Sequence, residues 1–189
     1  MASDRKRVRG TILYEDPRTG SFFRKLLRHL GFEPRNFTFR PAPSGKGDAG
    51  AWVQTQYHLE VRLLRRKRHQ RSLCLIAVRD GDNVGTARRK TDLDASLITA
   101  GLQARQQNEL IATPIPTWSI ETWLLALLGI AGVDENASRK LDFESRYSGT
   151  AERQALADAA DAWSVRAEQI ASVPSLADGK VEFSRIDPP

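Results

Sequence analysis

The stretch Leu73-Cys74-Leu75-Ile76-Ala77-Val78-Arg79-Asp80-Gly81-Asp82 decides the fold. Its apolar run from Leu73 to Val78 is continuous, the pattern of a central parallel strand covered on both faces, and it exits into Asp-Gly-Asp. Upstream, residues 8–14 (VRGTILY) read as a first strand that runs straight into Glu15-Asp16-Pro17. Between the two strands, residues 19–30 place Phe22, Phe23, Leu26, Leu27 and Leu30 on one helical face, closed by Gly31. Residues 33–50, rich in Pro and Gly, read as a loop, and a second helix then aligns Val53, Tyr57, Val61 and Leu64. Downstream come a helix over 86–104, a short strand over 109–115 closed by Pro116, and an apolar helix over 118–128. A polar connection (134–149), an Ala-rich helix (150–172) and an irregular, Pro-containing tail (173–189) complete the chain.

The order β-α-α-β-α-β-α-α predicts an α/β fold, a mainly parallel Rossmann-like sheet flanked by helices, with a C-terminal helical extension. At 189 residues the chain has room for one domain of ordinary size. The expected division is a catalytic domain over 1–133 and an extension over 134–189 packed on the same domain. With 40% hydrophobic and 28% charged residues, the composition suits a soluble globular protein and excludes a disordered chain. The longest apolar region, 118–133, is broken by Ser119, Glu121 and Thr122, so no membrane helix is expected. The basic N-terminus lacks the apolar segment of a signal peptide, and cytoplasmic residence is the expectation.

Several chemistries have little to draw on. Cys74 is the sole cysteine, which excludes an internal disulfide and a thiolate zinc site; within its apolar run it reads as a small core residue. His29, His58 and His69 show no metal-ligand spacing. Gly45-Lys46-Gly47 lacks the preceding strand, upstream glycine and following Ser/Thr of a phosphate loop. Trp118 and Trp123, five apart, do not share a helix face and read as core rather than as a base-stacking platform.

The charge balance does carry information. Lys plus Arg number 29 against 23 Asp plus Glu, a formal net charge of +6. That sign favours a polyanionic partner, nucleic acid above all. Residues 62–71 hold six cations and no carboxylate. The expected phosphate contacts are Lys46, Arg65, Arg66, Lys67, Arg68, Arg88 and Arg89. The alternative for the run is a solvated helix end whose cations complement the dipole.

In a parallel sheet, ligands collect beyond the carboxyl ends of the strands. All three strand exits here carry acids: Glu15 after the first, Asp80 and Asp82 after the second, and Glu121 in the helix turn following the third. Clustered carboxylates repel one another and call for divalent cations, and hard oxygen donors without His or Cys select Mg²⁺ or Mn²⁺. Such ions serve phosphoryl-transfer chemistry, including two-metal hydrolysis of phosphodiesters. Each acid also has a plainer role open to it. Asp-Gly-Asp is good turn chemistry, Glu121 suits a first helical turn, and Asp16-Pro17 can start a helix.

A glutamate ending the first strand, then an apolar strand ending in Asp-x-Asp, resembles the pattern of Toprim domains. Here it reads Ile12-Leu-Tyr-Glu15 and Leu73-Cys-Leu-Ile-Ala-Val-Arg-Asp80-Gly-Asp82. The later Ile115-Pro-Thr-Trp-Ser-Ile-Glu121-Thr-Trp-Leu-Leu is similar to small Toprim-like relatives of the overcoming-lysogenization-defect nucleases. The resemblance spans residues 8–129. It implies Glu15 as general acid/base and metal ligand, Asp80 and Asp82 as metal ligands, and Glu121 as a ligand to a second ion. Lys140 would stabilise the transition state, or else is a surface lysine. It also implies two Mg²⁺ or Mn²⁺ ions, a nucleic-acid substrate, and an ATPase partner of the ABC/SMC-like type in an anti-phage system. Many Toprim domains have Gly directly after the glutamate, where this chain has Asp16.

Two other readings compete. Asp80-x-Asp82-x-Val84 resembles the first motif of haloacid-dehalogenase-type phosphatases, which also need a downstream lysine and an acidic pair after a later strand. The only later strand candidate, residues 109–115, runs into Pro-Thr-Trp without such a pair. The other is a non-catalytic basic adaptor that binds nucleic acid or an ATPase.

Overall fold

The computed structural model describes residues 2–45, 48–67, 69–70, 72–82 and 84–187. Two of the expected phosphate contacts, Lys46 and Arg68, lie outside the described residues.

A short helix, α1 (Ala2–Arg5), precedes strand β1 (Arg9–Tyr14). Helix α2 (Pro17–His29) leads through a 3-10 turn at Pro34–Asn36 to strand β2 (Phe37–Pro41). Helix α3 (Ala49–Arg66), strand β3 (Leu73–Ala77), helix α4 (Gly85–Thr99) and the two-residue strand β4 (Ile111–Ala112) follow. Four helices complete the chain: α5 (Ile120–Leu127), α6 (Lys140–Arg146), α7 (Gly149–Arg166) and α8 (Pro174–Ser184). The expected α/β architecture is present, with a sheet of order β2-β1-β3-β4 in which every neighbouring pair is parallel.

The strands alternate as two-sided burial requires. Ile12, Tyr14, Cys74, Ile76 and Val78 face a core shared with α2 and α5–α8. Leu13, Leu75 and Ala77 face the opposite core with α3 and α4. The C-terminal helices belong to the first core: Trp163 of α7 is fully buried with its ring centroid 6.1 Å from Phe22 and 5.8 Å from Trp123. Burying such a ring stabilises by roughly 1.5–3 kcal/mol, so the extension completes the core of the sheet domain. Among the described residues no helix is long and apolar enough to cross a membrane.

Three segments are more regular than the sequence suggests. The expected loop over 33–50 contains β2, an edge strand that tolerates Pro41 at its end because its outer side needs no ladder bond. The polar connection over 134–149 contains α6. The tail expected to pack irregularly forms α8, opened by Pro174 in the first helical turn. In the opposite sense, β4 is shorter than expected. The Thr113 N–H donates to Glu182 Oε2 of α8 at 3.0 Å, so a side chain closes the edge where a longer ladder was foreseen.

The connections position the site. From β1 the chain moves through α2 to β2 at one edge, returns across β1 through α3 to β3, and continues through α4 to β4. The carboxyl ends of β1 and β3 therefore flank the point where the winding reverses, the crevice in which open α/β sheets bind ligands. Leu13 lies opposite Ala77, so the two strands finish level and release Glu15 and Asp80 side by side.

Candidate active site

Glu15 and Asp80 meet through the backbone. The Asp80 N–H donates to Glu15 Oε1 at 3.2 Å, and Arg79 Nε lies 3.6 Å from the same oxygen. Arg79 is buried; its Nη1 donates to Gln54 Oε1 at 3.3 Å, and its Nε has no hydrogen-bond partner among the described residues. Burial raises the Glu15 carboxyl above the usual range, opposed by the Asp80 N–H and the Arg79 guanidinium. Asp80 is displaced further. Burial, then the charges of Glu15, Asp16, Glu121 and Asp82, push its carboxyl well above the usual range. Among the described residues, none donates a hydrogen bond to the Asp80 carboxylate.

The turn after β3 is fixed by its neighbour. Gly81 N–H donates to Pro116 O at 2.9 Å and Asp82 N–H to Trp118 O at 3.0 Å, stitching the exit of β3 to the segment that follows β4. The approach is so close that a Cβ on Gly81 would lie 2.1 Å from Thr117 O, which only glycine permits. Asp82 takes a left-handed conformation with φ +48°, which Asp tolerates better than most residues. Its carboxylate accepts from Arg89 Nη2 at 2.8 Å, and Arg89 Nε donates to Asp80 O at 3.2 Å.

Behind this turn Thr117 Oγ1 donates to Glu135 Oε2 at 2.7 Å, while the other oxygen of Glu135 accepts from both Ser175 N–H and the Ser175 hydroxyl. Trp123 Nε1 donates to Ser175 Oγ at 2.7 Å. A polar chain from the C-terminal extension thus braces the segment on which Gly81 rests.

Glu121 occupies the first turn of α5, only 2% exposed, and is ion-paired with Arg18. Arg18 also reaches Glu152 of α7 at 2.7 Å and Glu144 of α6 at 3.4 Å, and lies over the Phe143 ring at 5.1 Å. The sequence gives no hint of this junction, because its partners lie more than a hundred residues from Arg18. Asp16 performs the plain role open to it: its carboxylate caps α2, accepting from the Arg18 and Thr19 N–H groups at 2.7 and 3.2 Å, with Pro17 in the first turn.

Asp80, Asp82, Glu121 and Lys140 line one cleft of about 450 Å³, with Glu15 set immediately behind Asp80. Lys140 opens α6 and is exposed at the cleft wall. The lining carries the carboxylates of Asp16, Asp80, Asp82, Glu121, Glu144 and Glu152 against only Arg18 and Lys140 as cations. Such a cleft repels a phosphate unless divalent ions enter with it. The donors suit that role unequally. The Asp80 carboxylate lacks a donor, whereas Glu15 already accepts from the Asp80 N–H and Asp82 from Arg89. Glu121 is in the cleft, but Arg18 already matches its charge. Among the described residues no three His, Cys, Asp or Glu side chains stand ready-made around one ion position.

The expected phosphate contacts are scattered. Arg65 is engaged by Glu109 at 2.6 Å and by the carbonyls of Gln103 and Ala104. Arg66 and Lys67 are exposed at the C-terminal end of α3, roughly 27 Å of helix from the rim where α3 begins. Arg88 pairs with Asp92 at 3.1 Å, and Arg89 serves the Asp80–Asp82 turn. The described part of the basic run, residues 62–67, is thus at the opposite end of the sheet from the cleft.

One further constellation has the order of a hydrolytic triad: His29 Nδ1 lies 3.1 Å from Asp161, and Nε2 lies 3.1 Å from Ser164 Oγ. The Asp161 side chain is 73% exposed, and Ser164 sits within α7, whose N–H groups are used by the helix itself. This arrangement offers neither water exclusion nor an oxyanion site. Compared with known proteins, the chain matches no family model, no curated protein and no solved structure.

Proposed function

We propose that the chain is a Toprim-like, metal-dependent nuclease. The observation that carries this reading is the Asp80 carboxylate: half-buried, without a donor, surrounded by carboxylates, and placed at the reversal of winding between β1 and β3. Asp80, Glu15 and Asp82 would hold Mg²⁺ or Mn²⁺, and Glu121 becomes a ligand to a second ion only by releasing Arg18. A bound ion of this kind lowers the pKa of a coordinated water and neutralises phosphate charge. Glu15, fixed by the Asp80 N–H, would accept a proton from an attacking water. Lys140, exposed on the cleft wall, offers a cation to the phosphate. The resemblance to Toprim proteins supports a role as the effector of an anti-phage system with an ABC/SMC-like ATPase partner. The test is cleavage of single- and double-stranded DNA and RNA with Mg²⁺ or Mn²⁺, alone and beside a co-expressed ATPase. Activity lost in Asp80→Asn supports the reading; cleavage by that variant at the wild-type rate defeats it.

A second reading, a non-catalytic basic adaptor, is favoured by one specific observation: Glu121 and Asp82 are already neutralised by Arg18 and Arg89. Metal binding separates the two.

A further inference from the structure

Helix α2 connects two opposite electrostatic environments. Its first residue, Pro17, lines the acidic cleft. Its last turns line a separate cavity of about 560 Å³ whose charged lining is Lys6, Arg24, Arg28 and Arg35 against Glu33 alone. Pro17, Ser21, Arg24 and Arg28 are all exposed and recur at helical spacing, so they form one outward stripe. About 17 Å of helix separates the ends of that stripe.

The cavity is more than a decorated helix end. Arg28 in the last turn is what the helix dipole favours anyway, but Arg24 lies a turn earlier. Its guanidinium is held 3.8 Å over the Phe39 ring of β2. Lys6 comes from the segment before β1, where Asn36 Nδ2 donates to its carbonyl at 2.9 Å. Arg35, from the 3-10 turn, has Glu33 at 3.6 Å. Among the described residues Lys6, Arg24 and Arg28 form no ion pair with a carboxylate, in contrast to Arg18, Arg65 and Arg89. Lys6, Arg24 and Arg28, from two segments, therefore converge with their charge unmatched beside the Arg35–Glu33 pair, a repulsion that a bound anion relieves.

We infer that this cavity binds the phosphate backbone of a nucleic-acid strand and, by the stripe along α2, leads that strand to the Asp80 cleft. The second half of this statement rests on the nuclease reading; the first half does not. The backbone is the polyanion that such a layout fits, because it spaces charge along a line.

The probe is a fluorescently labelled single-stranded DNA oligonucleotide, with affinity read by anisotropy across a salt series in EDTA. Each phosphate contact on a single strand contributes a slope of about −0.7 in log K against log salt. Arg24→Gln/Arg28→Gln is expected to flatten the slope by about 1.4, whereas Arg24→Lys/Arg28→Lys keeps it. Arg66→Gln/Lys67→Gln, at the far end of α3, is expected to leave it unchanged. With Mn²⁺ present, affinity should rise in the wild type and not in Asp80→Asn. An unchanged slope in the Arg→Gln pair overturns the inference, as does equal flattening by Arg66→Gln/Lys67→Gln. Arg24- and Arg28-dependent binding to phosphatidylserine vesicles without oligonucleotide binding also overturns it, in favour of a membrane surface. If the slope flattens as expected but Asp80→Asn retains cleavage, the strand-binding cavity stands and the nuclease reading of the cleft falls.

Discussion

The Asp80 N–H donates to Glu15 Oε1 at 3.2 Å, joining the ends of two adjacent parallel strands whose residues are 65 apart in sequence. This one bond orients Glu15 toward the carboxylate that lacks a donor, and it exists because β1 and β3 finish in register. Glu15 is thereby set by backbone geometry, whereas Asp82 and Glu121 are held by the Arg89 and Arg18 side chains.

The turn after β3 depends on a missing side chain. Gly81→Ala would drive a Cβ into the Thr117 carbonyl, and backbone cannot move aside as a flexible side chain can. The expected cost is about 1–3 kcal/mol, a fall in Tm of about 2–12 °C. Thermal unfolding read beside Mn²⁺ affinity should show both reduced; an unaltered Tm would contradict the packing described.

Arg18 and Glu121 form a buried pair that cannot lose one member cheaply. Arg18→Ala leaves Glu121 charged and 2% exposed, at a cost of about 3–5 kcal/mol. Arg18→Ala/Glu121→Gln should recover part of that loss, because the uncompensated charge is gone. Denaturant unfolding of the two variants checks this, and equal stability of both would show that Glu121 is not the source of the cost.

Glu182 ties α8 to the sheet and gives the fold an acid limit. Its carboxylate accepts from Arg105, from the Thr113 N–H and from Lys90. Against the opposing effect of burial, these partners hold its pKa at about 2, below the ordinary 4.5. The folded state thus binds this proton less readily than the unfolded chain. The resulting stability, roughly 3 kcal/mol at most, is fully present above pH ~4.5 and is lost as pH falls toward ~2. Glu182→Gln should be less stable at neutral pH and lose less on acidification. An identical acid transition in both proteins would contradict this.

Glu135 braces the site without entering the cleft. It receives Thr117 Oγ1 and Ser175, and Thr117 carries the carbonyl against which Gly81 packs. Glu135→Ala should weaken Mn²⁺ binding roughly ten-fold or more, as loss of outer-shell partners commonly does. Calorimetry showing wild-type affinity would remove Glu135 from this role.

The central strand was legible because burial on both faces demands an unbroken apolar run from Leu73 to Val78, and Asp80-Gly81-Asp82 follows it directly. Glu15 was legible for the same reason, at the exit of the other strand. Strand β2 was not, since an edge strand needs little hydrophobicity and here includes Arg40 and Pro41. Helix α8 was hidden because the prolines of the tail suggested irregular packing, yet Pro174 sits in the first turn of the helix, which also holds Gly179. Gly179 is required because a Cβ there would come 2.3 Å from the Trp123 ring. The charge run at 62–71 promised phosphate contacts, but Arg65 is tied to Glu109, and Arg66 and Lys67 lie far from the cleft. Arg18 and its partners on α5–α7, like the basic cavity at the far end of α2, depend on tertiary proximity that no spacing encodes.

Asp80 and its neighbours are proposed to form a metal site, and Mn²⁺ titration by calorimetry tests this most directly, with wild type beside Asp80→Asn. Saturable binding by the wild type that disappears in Asp80→Asn is the predicted result. Absence of binding to the wild type at millimolar metal, or equal binding by both proteins, would contradict it.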